Sequence, residues 1–104
     1  MNYKAKVLTD LEAQNLFRKF AAPLFRAASS PARKKAAHEL ARMLWVALIT
    51  GPDIEELVFQ ELVKVGLDAE GIQAIRDRYY REMKPAITEE ELQALKISYK
   101  VKKE

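Results

Sequence analysis

Residues 31–49, PARKKAAHELARMLWVALI, decide the fold. Ser30 offers a capping oxygen and Pro31 suits the first helical position, while Gly51-Pro52 stops the helix. The first half of the segment is amphipathic; the second half, Met43 to Ile49, carries no polar residue. A helix that is apolar on every side is ordinarily buried on every side, so the segment predicts a central helix with others packed around it. Trp45 is then expected to be mostly buried, inside the core or across a dimer contact.

The same helix opens against a local rule. Arg33, Lys34 and Lys35 occupy its first turn, where the dipole and the unpaired N–H groups favour anions. Either these are solvated cations that the fold tolerates, or Ser29, Ser30, Arg33, Lys34 and Lys35 form an anion or partner site. Lys34, His38 and Arg42 follow at four-residue steps and would extend that basic face.

Outward from this helix, start and stop signals mark four more. Thr9 and Glu12 form a capping box ahead of Ala13, Leu16, Phe17, Phe20 and Leu24 at helical spacing. Pro23 predicts a kink or restart near Phe20–Pro23, because its ring opposes the carbonyl of Lys19. A third helix follows Pro52, with Ile54, Leu57, Val58, Leu62 and Val65 as its expected apolar stripe and Gly66 as its end. A fourth runs from Asp68 to before Pro85, with Ile72, Ile75, Tyr79 and Met83 on one face. The last opens at Thr88, where Glu91 completes another capping box. Both chain ends also alternate with period two: Tyr3, Ala5 and Val7, then Ile97, Tyr99 and Val101. That pattern predicts short strands at the termini, against the alternative of a final helix running on through Leu92, Leu95 and Tyr99. The expected fold is an all-α domain spanning residues 1–104, a bundle of four to five helices around a central apolar helix.

Composition narrows the function more by exclusion than by motif. The chain has 104 residues, 49% hydrophobic and 32% charged, which is ordinary globular material for one domain. It has no cysteine, so thiol chemistry and disulfides are excluded and a cytoplasmic location is expected. The first residues lack the apolar core of a signal peptide, and the longest apolar run is far short of the roughly 20 residues of a membrane span. Net charge is +3 but unevenly placed. Residues 1–49 hold nine Lys/Arg against three Asp/Glu, and residues 50–104 hold nine against twelve. A basic half and an acidic half can attract a second copy head to tail, or an outside anionic partner.

No catalytic, metal or cofactor constellation is visible. His38 is the only histidine and has no nucleophile at helical spacing. Neither a phosphate-cradling glycine loop nor a metal-ligand spacing occurs, so no cofactor is expected. Glu61 is odder, with apolar Leu57, Val58 and Val65 as its helical neighbours. It either pairs with a base such as Arg42 or Arg76, faces a partner, or reaches to water from the edge of the core. Leu62, Gly66, Ile72 and Ile75 have the spacing of a helix-turn-helix within about residues 57–81. Its second helix would present Asp68, Ala69, Glu70 and Gln73, and two acids there repel phosphates; Arg76, Arg78 and Arg81 lie further along. The expectation is a non-enzymatic interaction or adaptor protein that binds another protein or itself as a homodimer, with Trp45 and Glu61 as candidate interface residues. Nucleic-acid binding through that hairpin or the basic N-terminal half is the alternative.

Overall fold

Four of the helices start where a side chain satisfies a free N–H group, and the one after Gly51 starts without a side-chain cap. In the computed structural model, which describes residues 7–103, α1 spans Asp10–Ala27 and α2 Pro31–Thr50. Thr9 Oγ1 accepts from the Glu12 N–H, and the Thr9 N–H donates to Glu12 Oε1, both at 3.2 Å. Ser30 Oγ accepts from the Arg33 N–H at 3.2 Å. Helix α3 covers Pro52–Lys64 and α4 Ala69–Arg78, the latter capped by Asp68 Oδ1 accepting from the Gly71 N–H at 2.7 Å. Helix α5 covers Glu89–Lys103, with a Thr88–Glu91 capping box of 2.9 and 3.1 Å bonds. Among the described residues the protein is an all-α bundle of five helices.

The α2–α3 corner depends on Gly51. Its φ of 129° is closed to side chains on backbone grounds, and its carbonyl accepts the N–H groups of Ile54 and Glu55 at 3.2 and 3.1 Å. Helix α4 ends differently. Pro85 has no N–H to return to the Arg81 carbonyl, and the chain opens beforehand into a π turn over Tyr79–Met83, then a 3₁₀ turn over Lys84–Ala86. The Lys84 N–H reaches back five residues to the Tyr79 carbonyl. The wider turn lays Tyr79 and Met83 fully into the core.

Helix α2 is central, packed against α1, α3 and α5. Ala41, Leu44, Ala47, Leu48 and Ile49 are its buried face. They meet Phe20, Ala21 and Leu24 of α1, Val58, Phe59 and Leu62 of α3, and Ala94 and Leu95 of α5 in one cluster.

Several expectations fail, each for a reason of geometry. Helix α2 is not covered all round: Met43 and Val46 are exposed, whereas Trp45 is mostly buried, as expected, against the core. A domain of this size has too little surface-to-core margin to enclose a helix on every side. Of the kink or restart expected near Phe20–Pro23, the restart does not occur, since α1 stays one element from Asp10 to Ala27. The burial of Phe20, Ala21, Pro23 and Leu24 holds the helix on both sides of the lost hydrogen bond. The stripe of α3 is rotated: Leu57 and Val65 are exposed, and Glu55, Val58, Phe59 and Leu62 face inward. The C-terminal strand does not form, because Leu92, Ala94, Leu95 and Ser98 find the core at helical spacing. The N-terminal strand expectation falls mainly on residues outside those described; of its apolar positions only Val7 is described, and it is exposed. Beside it the buried Leu8 N–H donates to Ser98 Oγ at 2.8 Å, tying the chain start to α5.

Candidate functional site

Two stripes at helical spacing, one on each of the first two helices, enclose an open groove of about 820 Å³. Helix α1 contributes Ala13, Phe17 and Arg18, and α2 contributes His38, Arg42, Trp45 and Val46. The floor is aromatic. Phe17 meets Trp45 edge to face at 5.5 Å between centroids, and Trp45 in turn leans on the buried Phe20 at 5.1 Å. His38 stacks on Phe25 at 6.1 Å and touches the edge of Phe17 at 5.8 Å. Edge-to-face pairs of this kind hold the rings in place.

The rim is basic. Among the described residues no carboxylate forms an ion pair with Arg18, His38 or Arg42, whereas most cations of α3, α4 and the π turn are paired. An apolar floor beside unpaired cations is chemically suited to an amphipathic, anionic partner.

The residues of the basic first turn of α2 fall into different settings. Ser30 Oγ is taken by the Arg33 N–H, and Arg33 Nη1 donates to Ser29 Oγ at 3.1 Å, so these three satisfy one another. Lys34 and Lys35 stand in solvent. Of the seven residues singled out there, only His38 and Arg42 reach the groove, where Trp45 joins them. Glu61 lies elsewhere, exposed on α3. Its partner is neither Arg42 nor Arg76 but Lys64, at 2.9 Å, and this bond and charge raise the Lys64 pKa above its ordinary value.

The arginines of the α3–α4 hairpin are largely engaged within the fold. Arg76 pairs with Glu56 at 3.1 Å and lies over the Phe59 ring at 4.7 Å. Arg78 pairs with Glu82 at 3.3 Å and donates to the Pro23 carbonyl at 3.4 Å.

One buried constellation is absent from the expected residues. Glu55 is 2% exposed, and its two carboxylate oxygens lie 3.1 and 3.3 Å from Lys84 Nζ. The Tyr79 hydroxyl is buried beside it with no hydrogen bond of good geometry. Burial first, and the Glu55 carboxylate second, push the Tyr79 pKa far above the ordinary tyrosine value. The tyrosine is locked neutral and the carboxylate is neutralised by its lysine, so the pair ties the start of α3 to the 3₁₀ turn that follows the π turn. The signal was present in the spacing, since Glu55 sits three, four and seven residues before Val58, Phe59 and Leu62.

A second, smaller groove of about 310 Å³ lies between α1 and α5, floored by Leu8, Leu16 and Ala94 and edged by Glu90 and Glu91. The Thr88 backbone N–H, assisted by Lys19, holds the Glu91 carboxyl below its ordinary pKa. Among the described residues no group of three His, Cys, Asp or Glu could hold a metal ion, and no helix is long and apolar enough to cross a membrane. No protein-family model, curated protein or solved structure matches the chain.

Proposed function

We propose that this is a non-enzymatic interaction protein of the cytoplasm that holds an acidic amphipathic helix of a protein partner in the α1–α2 groove. The observation that carries it is the aromatic floor of Phe17, Phe25 and Trp45 beside His38 and the cations Arg18 and Arg42, which have no ion pair among the described residues. Helix-in-groove recognition uses such an arrangement: apolar anchors enter the groove, while charge sets orientation and speeds encounter. Tryptophan and arginine are also the residues on which binding energy tends to concentrate. No reaction is assigned, since His38 stands without a nucleophile and the Glu55–Lys84 pair lines neither groove.

Nucleic acid is the weaker alternative. Arg33, Lys34 and Lys35 would attract phosphates, but the hairpin arginines Arg76 and Arg78 are spent on Glu56 and Glu82. The groove rings also lie against one another rather than offering open faces for base stacking.

A fluorescently labelled helical peptide carrying leucine anchors flanked by glutamates separates the two. Fluorescence anisotropy is expected to give saturable binding with a Kd on the order of micromolar, weakening as salt rises. Absence of peptide binding, with tight and salt-steep binding of a single-stranded oligonucleotide, would reverse the assignment.

A further inference from the structure

We infer that the helix seated in this groove is α3 of a second copy of the same chain, an inference that rests on the groove function proposed above. With two arginines to one acid, Asp10, lining it, the groove favours an occupant with an acidic and apolar surface over a second copy of the groove itself. The outer face of α3 is one. Asp53, Leu57 and Glu61 are exposed at successive four-residue steps, an acid–leucine–acid line. Leu57 is 53% exposed, and Val63 and Val65 further along the chain are 62% and 74% exposed. Among the described residues Asp53 has no ion pair, and Glu61 has only its own-helix contact with Lys64.

This face cannot fill the groove of its own chain. On a helical wheel Asp53, Leu57, Gln60 and Glu61 fall opposite Glu55, Val58, Phe59 and Leu62, which are buried. With α2 packed against α3 on that inner side, the outer face points away from the molecule. Its complement is therefore another copy. Leu57 would lie across the paired rings of Phe17 and Trp45, with Asp53 and Glu61 directed to the arginines of the rim. The contact joins two different surfaces, so it is satisfied twice in a reciprocal pair or once per step in a head-to-tail chain. The uneven charge, basic before residue 50 and acidic after it, acts in the same direction.

The test uses two full-length variants at exposed positions, Leu57→Arg and Arg42→Glu, with circular dichroism to verify helix content. By sedimentation velocity the wild type is expected to gain mass with concentration and to lose that gain in high salt. Each variant alone is expected to self-associate ~10-fold or more weakly. An equimolar mixture should recover a one-to-one complex, because Leu57→Arg keeps an intact groove and Arg42→Glu keeps an intact α3 face. Arg18→Glu replaces Arg42→Glu should that variant lose helix. A wild type that stays monomeric, a Leu57→Arg chain that associates like wild type, or a mixture with no complex overturns the inference. The leucine–glutamate peptide titrated into Leu57→Arg then shows what has failed. If it binds, only the self-partner is wrong; if it does not, the groove function falls as well.

Discussion

Replacing Lys84 by methionine leaves a carboxylate stranded in the core, and the cost can be worked from the geometry. Glu55 is 2% exposed, and Lys84 is the only cation that reaches it among the described residues, at 3.1 Å. The lysine side chain is 39% exposed, so its attraction to Glu55 is screened towards the value of a surface pair, ~1 kcal/mol or less. The larger penalty lies with the acid, which keeps its burial and loses its partner. Breaking a fully buried pair costs about 3–5 kcal/mol, and the half-open lysine side lowers this to roughly 2–3 kcal/mol. Removing both charges, Glu55→Met with Lys84→Met, takes away the desolvation cost along with the attraction, and should fall within about 1 kcal/mol of wild type. Urea unfolding of the wild type, both single variants and the double variant closes the cycle. For a domain of this size the Lys84→Met loss corresponds to a drop in Tm of roughly 10–20 °C. A Lys84→Met chain within about 0.5 kcal/mol of wild type, or a double variant no more stable than Lys84→Met, refutes the reasoning.

Three further outcomes follow from single side chains. The Tyr79 hydroxyl is buried without a partner, so Tyr79→Phe should leave stability within about 0.5 kcal/mol of wild type or raise it; a loss above about 1 kcal/mol in denaturant curves would reveal a hydrogen bond. Because the folded Tyr79 pKa is raised, its contribution is fully present below about pH 10, where the unfolded tyrosine is also neutral, and declines as the unfolded chain ionises above it. Tyr79→Phe should flatten that alkaline decline, which unfolding curves across pH 8 to about 11 would register. Gly51→Ala meets no atom within 4 Å but must adopt φ 129°, so a loss of ~1–3 kcal/mol is expected, and an unchanged Tm would show that the corner relaxes. Trp45→Ala should cost about 1.5–3 kcal/mol, below the 3–5 kcal/mol of a fully buried aromatic, because one side of the ring faces the groove; calorimetry distinguishes these ranges.

Helix starts were legible because capping is local: Thr9 with Glu12, Ser30 with Pro31, Asp68, and Thr88 with Glu91 need only a few residues to declare themselves. Faces were not legible to the same degree, because they depend on neighbours distant in sequence. Leu57 and Glu55 carry the opposite chemistry to their positions, the leucine outside and the acid inside. The acid is tolerated there only because Lys84 arrives from 29 residues away, on a turn widened ahead of Pro85. Similarly, Met43 and Val46 read as core in a segment without polar residues, yet three neighbouring helices leave that side open. Of the groove, His38, Arg42 and Trp45 could be named from α2 alone. Phe17 was visible only as a core position, and Arg18 carried no signal until the two helices were brought together.

The groove is tested most directly at Trp45, whose indole N–H gives a single resonance because the chain contains one tryptophan. A ¹⁵N-labelled sample titrated with the acidic leucine–glutamate peptide should show that resonance shift saturably. The backbone amides of Phe17, Arg18, His38 and Arg42 should move with it, while those of Phe59 and Met83 in the core stay in place. High salt should reduce the shifts at every peptide concentration. A Trp45 signal that stays fixed at saturating peptide, or shifts confined to α4 and the π turn, would contradict the account.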